Sequence, residues 1–259
     1  MKADLNITFI QTSLHWQNRK ANLEMLAEKI ISVDLPTDLI LLPEMFTTGF
    51  SMSPEIFAET IGGEAMTWMR LMAEQTSAVI CGSMMMNDGV HYYNRLIWMR
   101  PDGSFEHYDK RHLFGLGEEN QHYTRGNKKI LVELNGWKIL PLICYDLRFP
   151  VWSRNSEFFD LILYVANWPE RRIYAWKQLL ISRAIENQCY VAGVNRVGYD
   201  GNEVYHSGNS MTVDPAGEVL IQQEHNETVF TSTLSHQHLI HLRQKYPFLK
   251  DQDQFKFES

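Results

Sequence analysis

Apolar and polar positions along this chain follow two periods in alternation. The mostly apolar run from Leu5 to Gln11 predicts a strand. Leu23, Leu26, Ala27, Ile30 and Ile31, on one face at helical spacing, predict a helix from about Asn18 to Ser32. Leu39 to Leu42 reads as a short buried strand ending at Pro43-Glu44, and Glu64 to Gln75 as a second helix. Ala78 to Met85 and Tyr92 to Met99 are strands with the turn Asn87-Asp-Gly89 between them, and the tight turn Pro101-Asp-Gly-Ser104 makes Tyr92 to Tyr108 a hairpin. Farther on, Ile139 to Ile143 and Leu161 to Ala166 read as strands, Arg171 to Glu186 as a helix, and Tyr190 to Asn195 as another strand. Asp214-Pro-Ala-Gly217 joins Ser210 to Val213 with Glu218 to Gln222, and Thr228 to Thr233 is the last strand. Strands joined by both crossover helices and hairpins predict an α/β fold with a mixed sheet, or two packed sheets with helices outside. No long linker or low-complexity tract interrupts the alternation, so residues 1–259 read as one domain.

Composition narrows the partners. A net charge of -7 with no cluster of Lys and Arg argues against nucleic acid, which requires a basic face, and favours a small molecule. Three cysteines, Cys81, Cys144 and Cys189, are too few and odd in number for a disulfide framework. No uncharged apolar stretch is long enough to span a bilayer, and the first residues lack the apolar segment of a secretory signal. These features together predict a cytoplasmic protein without a membrane partner.

Chemistry concentrates at Cys144, where the apolar run Ile139–Ile143 stops and Tyr145-Asp-Leu-Arg-Phe-Pro150 begins. A turn into a helix there would aim backbone N–H groups at the sulfur and favour the thiolate. Pro141 cannot donate to a sheet ladder and suggests an edge or a bulge. A free cysteine in an apolar run is more often an inert small hydrophobe, and Cys81 and Cys189 are read that way. Two other segments share the arrangement of Cys144. Leu39–Leu42 runs into Glu44 and Phe105–Tyr108 into Lys110, so three reactive side chains each follow a strand's carboxyl end, where open α/β sheets gather their sites. Glutamates and lysines at strand ends are individually mostly solvated surface. Together, however, a carboxylate to move the thiol proton, an ammonium for a developing oxyanion and a thiol to carry an acyl group make a complete set for acyl transfer.

The segments Leu-Leu-Pro-Glu44-Met-Phe, Tyr-Asp-Lys110-Arg-His-Leu-Phe and Leu-Ile-Cys144-Tyr-Asp-Leu-Arg-Phe-Pro resemble, in order and spacing, the three signatures of the nitrilase (carbon–nitrogen hydrolase) superfamily. The similarity runs from the first strand to the closing Tyr246-Pro-Phe-Leu-Lys-Asp-Gln-Asp-Gln-Phe255. It is greatest to the bacterial ω-amidase branch, through Cys144–Arg154 and Val165-Ala-Asn-Trp-Pro-Glu-Arg-Arg172. The resemblance implies a four-layer α-β-β-α sandwich, catalysis by Glu44, Lys110 and Cys144 without a cofactor, and a homodimer formed through the helix Arg171–Glu186. It also marks Glu119, seven residues before Gly126, as the family's second glutamate, although Glu118 is adjacent. The implied substrate is the monoamide of a 2-oxo dicarboxylic acid, 2-oxoglutaramate or 2-oxosuccinamate. Its free carboxylate requires a cation, assigned to Arg171, Arg172 or the helix start they border, with surface arginines as the plain alternative.

Tyr145 and Trp168 follow strand ends and are candidate pocket walls, or simply packing residues. Ile173, Trp176, Leu179 and Leu180 suit either the dimer contact or the core. His112, a possible base for a papain-like thiol protease, is expected on the opposite face from Lys110 if the strand continues. His236, His238 and His241 read as a solvated terminal helix rather than a metal site, and Gly115-Leu-Gly117 lacks the third glycine of a dinucleotide loop. Three other functions fit the same residues: a nitrilase acting on nitriles, an amidase of a different small carbon–nitrogen substrate, and a non-catalytic thiol or redox module.

Overall fold

A computed structural model describes residues 2–257. In chain order the strands and helices are β1 (Leu5–Gln11), α1 (Arg19–Ile31), β2 (Leu39–Leu41), α2 (Pro54–Phe57), α3 (Glu64–Thr76), β3 (Val79–Asn87), β4 (Tyr92–Met99), β5 (Phe105–Asp109) and α4 (Glu119–His122). They continue with β6 (Val132–Leu134), β7 (Trp137–Ile143), β8 (Leu161–Ala166), α5 (Ile173–Asn187), β9 (Tyr190–Asn195), β10 (Val197–Tyr199), β11 (Tyr205–Val213), β12 (Val219–Glu224), β13 (Thr228–Leu234) and α6 (His236–Lys245). One sheet has the order β13-β1-β2-β3-β4-β5, the other β10-β11-β9-β8-β7-β6 with β12 on β11. Each is mixed: β1, β2 and β3 are parallel, as are β7, β8 and β9, and the flanking strands are antiparallel.

The two-residue period of a strand divides each apolar run between two cores. Leu39 and Leu41 face the second sheet together with Leu5, Ile7, Phe9, Val79 and Cys81, while Ile40 and Leu42 pack under Leu23, Leu26 and Ile30 of α1 and Met66 and Met69 of α3. On the other sheet Trp176 and Leu180 of α5 lie so close over Gly193 of β9 that a β-carbon there would come within 2.8 Å of both. Helices outside and two facing sheets inside make an α-β-β-α sandwich. Burying one such leucine or isoleucine contributes about 1.5–3 kcal/mol, so the apolar periodicity is what selects these layers. Asn18 starts α1 by accepting the Ala21 N–H at 3.1 Å.

Pro141 occupies an edge-like position, because β6 pairs with β7 only as far as Ile139 and leaves Pro141 a neighbour, Leu163, on one side alone. Two expectations change and one open choice closes. The segment after Pro169 forms a 3-10 turn, Glu170–Arg172, and α5 begins at Ile173, so the two arginines precede the helix rather than open it. Trp176 and Leu180 are fully buried and belong to the core, which removes them from any contact between copies. His236 is also buried, with its ring edge against Trp137, because α6 folds back onto β7; among the described residues only His241 of the three is exposed without a carboxylate partner, since His238 meets Asp214 at 2.9 Å. Among the described residues no helix is long and apolar enough to cross a membrane.

Candidate active site

Glu44 and Lys110 leave the carboxyl ends of β2 and β5 in one sheet, and Cys144 leaves β7 in the other. Packing the sheets face to face brings the three ends together. The Lys110 ammonium donates to Glu44 Oε1 at 2.8 Å and to Glu119 Oε1 and Oε2 at 3.0 and 2.8 Å, and it sits 5.2 Å over the Phe50 ring. All three charged groups are at most 1% exposed. Asn94 Nδ2 bridges the carboxylates, donating to Glu44 Oε1 at 2.8 Å and Glu119 Oε1 at 3.0 Å. The Asn167 backbone N–H donates to Glu44 Oε2 at 2.8 Å, and its side chain to the Glu44 carbonyl at 2.6 Å.

The choice between the adjacent glutamates is decided by the loop. Glu118 takes a left-handed conformation, φ 61°, that turns Glu119 inward, where its Oε2 also accepts the Phe114 N–H at 2.6 Å. Gly126 secures this return: a β-carbon there would lie 2.1 Å from the Asp109 carbonyl oxygen, beside the Gly126 N–H bond to Lys110 O at 2.9 Å.

Electrostatics follow from burial. It pulls the Lys110 ammonium down, but Glu119 and Glu44 outweigh it and leave the group above its ordinary value. The Glu119 carboxyl is held up by burial and by Glu44, with Lys110 opposing. Its neighbours at hydrogen-bonding distance are N–H donors, so the carboxylate is the form the site accommodates. The Cys144 thiol is pushed well above its usual range, first by burial and then by Glu44, against the pull of Lys110 and the Asn167 N–H. The expected thiolate is therefore corrected to a thiol, since the turn after β7 is a five-residue 3-10 segment, Cys144–Arg148, whose first residue is buried beside a carboxylate. Cys144 is itself in the left-handed region, φ 41°.

The sulfur opens onto a cavity of about 170 Å³. Glu44, Lys110, Asn167, Tyr145 and Trp168 line it, and Arg148, Arg171 and Arg172 form one side. Trp168 is fixed by its backbone N–H to Asn195 Oδ1, 2.7 Å, and its indole N–H to the Arg172 carbonyl, 2.8 Å. The Arg148 guanidinium lies 4.8 Å over the Trp168 ring and that of Arg172 4.8 Å over Phe114. Both are half-buried, whereas Arg171 is exposed at the rim. None of the three meets a carboxylate among the described residues. Burial lowers the Arg172 group, and repulsion from Arg171 and Arg148 lowers it further.

Glu44, Lys110, Cys144, Glu119, Tyr145, Trp168, Arg171 and Arg172 thus reach one region, but His112 does not join it. Residues two apart on a strand would share a face with Lys110. Instead β5 stops at Asp109, and His112 turns to Asp146, Nδ1 to Oδ1 2.8 Å, stacked on Phe149 at 3.7 Å. Sequence reasoning passed over Asn94, Arg148 and Asn167. Asn167 follows the end of β8 and carried the same strand-end signal as Glu44; Asn94, inside a strand, carried none.

Residues 6–244 match the profile described as carbon-nitrogen hydrolase. The chain is 44% identical over 254 residues to the omega-amidase YafV of Escherichia coli K12, covering 97% of this chain and 98% of that protein. It is 32% identical to the 2-oxoglutaramate amidase of Bacillus subtilis, over 83% and 84% of the two chains. The crystal structure of XC1258 from Xanthomonas campestris, described as a CN-hydrolase superfamily protein with an arsenic adduct in its active site, superposes with a TM-score of 0.97 at 41% identity, covering 99% of this chain and all of that one.

Proposed function

The chain belongs to the carbon–nitrogen hydrolase family, and from that premise we propose that it hydrolyses the terminal amide of 2-oxo dicarboxylic acid monoamides, 2-oxoglutaramate and 2-oxosuccinamate, with Glu44, Lys110 and Cys144 as catalytic residues. One observation carries the reading: a buried thiol, carboxylate and ammonium open onto a small cavity whose wall bears three guanidiniums unpaired among the described residues. The amide relatives named above support the substrate class.

The chemistry follows from the protonation states. Glu44 takes the thiol proton as Cys144 Sγ attacks the amide carbon, so no free thiolate is required. Lys110, kept charged by its two carboxylates, donates to the oxyanion that develops. Glu44 returns the proton to nitrogen, ammonia leaves, and a thioester remains on Cys144. Glu44 then deprotonates water, which attacks the thioester; the acid departs and the proton goes back to sulfur. Glu119 orients Lys110 and fixes the Phe114 backbone that frames the cavity. Tyr145 and Trp168 wall the substrate, and its carboxylate sits between Arg148 and Arg172, with Arg171 at the entrance. No cofactor takes part in this sequence of steps.

An ammonia-release assay over ω-amides, simple amides and nitriles, run beside Cys144→Ser, tests the reading. Release from 2-oxo amides that Cys144→Ser abolishes, with an acyl adduct on Cys144 in quenched samples, supports it; preference for nitriles overturns it. We further propose a cytoplasmic homodimer. Three unpaired cysteines favour a reducing compartment, and Tyr174 and Ile185 remain exposed on α5 for the contact. A stable monomer in light scattering would remove the dimer.

A further inference from the structure

Two segments that belong to different sheets must hold Lys110 and Cys144 at a fixed separation, and one buried carboxylate bonds to both. Asp146, with no exposed surface, accepts the Tyr108 hydroxyl at 2.8 Å and the Ile143 N–H at 3.1 Å on Oδ2. On Oδ1 it accepts the His112 N–H at 3.0 Å and meets the His112 ring Nδ1 at 2.8 Å. Tyr108 and His112 stand two residues before and two after Lys110, while Ile143 is the residue before Cys144. The carboxylate therefore clasps the Lys110 segment on both sides and pins the turn in which Cys144 takes its left-handed backbone, φ 41°. Trp152 and the Arg111 N–H donate to the Tyr108 hydroxyl at 3.0 and 3.1 Å, so that oxygen can only donate onward to Asp146. Asp146 and His112 do not line the cavity.

We propose that Asp146, locked by His112, is the positioning residue that sets the distance between the Lys110 ammonium and the Cys144 sulfur. It rests on the catalytic assignment of those two residues. Steps that need both groups at once, formation and collapse of the tetrahedral oxyanion, then depend on Asp146, whereas reactions of the sulfur alone do not. Alkylation by iodoacetamide displaces iodide at a saturated carbon and develops no oxyanion, so it does not need Lys110 as a donor; only the pull of that charge on the Cys144 proton remains.

The test compares 2-oxoglutaramate hydrolysis with iodoacetamide alkylation of Cys144, the latter followed by mass, in the full chain. Asp146→Asn, which turns an amide N–H toward these donors, is expected to lower kcat by about 100-fold, the order that a misplacement near 1 Å costs, with KM and the alkylation rate within about threefold. His112→Ala is expected to show the same selective loss at about tenfold, and His112→Asn, whose side-chain N–H replaces Nδ1–H, to restore it. Wild-type kcat in Asp146→Asn, or equal losses of hydrolysis and alkylation, overturns the inference. If that variant does not fold, the His112 pair decides: equal kcat in His112→Ala and His112→Asn overturns it. Lys110→Ala separates the two levels, since wild-type hydrolysis there removes the catalytic assignment itself, while a deep loss there beside an unaffected Asp146→Asn removes only the positioning role.

Discussion

Replacing Arg172 with methionine tests where the substrate's second charge is held. Methionine keeps an apolar stem against Phe114, over which the guanidinium lies at 4.8 Å, and removes only the cation. Arg172 is half-buried and its charge is opposed by Arg171 and Arg148, so a bound carboxylate relieves repulsion as well as gaining hydrogen bonds. A hydrogen bond to a charged group contributes about 1.5–3 kcal/mol. At about 1.4 kcal/mol per decade, that corresponds to a rise of roughly 10- to 150-fold in KM for 2-oxoglutaramate. Arg148→Met, whose guanidinium lies over Trp168, should fall in the same range, and Arg171→Met, exposed and screened by water, below about fivefold. The assay is steady-state ammonia release from 2-oxoglutaramate and, in parallel, from pentanamide, which has no carboxylate and should respond little. Equal losses on both substrates would show a packing defect, and a larger effect at Arg171 than at Arg172 would refute the placement of the anion.

Glu44→Gln removes the group that accepts the thiol proton and should lower kcat by about 10²–10⁴-fold, with no acyl adduct on Cys144 in single-turnover mass spectra. Gly126→Ala forces a β-carbon to 2.1 Å from a backbone oxygen; it should cost roughly 3 kcal/mol and lower Tm by about 6–12 °C in calorimetry, and an unchanged Tm would mean that the loop moves freely. His206 is buried neutral, its pKa lowered to about 4 by burial and then by Arg196. The unfolded imidazole, near 6.5, binds a proton that the folded one refuses, so stability present above pH about 6.5 is lost as pH falls toward 4. Urea midpoints across that window should fall less steeply in His206→Gln than in the wild type.

Much of this molecule was legible before folding because strands and helices are local. The runs at Leu5, Leu39, Ile139, Leu161 and Tyr190 became β1, β2, β7, β8 and β9, and three reactive side chains stood where the apolar runs ended. The motifs around Glu44, Lys110 and Cys144 carried the family. What local patterning does not carry is which side chains meet across sheets. Asn94 sits mid-strand and looks like any half-buried polar residue until the end of β2 and the short helix α4, both distant in sequence, set it between two carboxylates. Arg148 reads as a polar residue in a turn, yet the cavity collects it with Arg171 and Arg172 from another segment. The state of the sulfur was likewise a tertiary matter. A turn alone would favour a thiolate, but desolvation and Glu44, both supplied by distant parts of the chain, keep the proton on Cys144, because the charge of a buried group depends on everything packed around it.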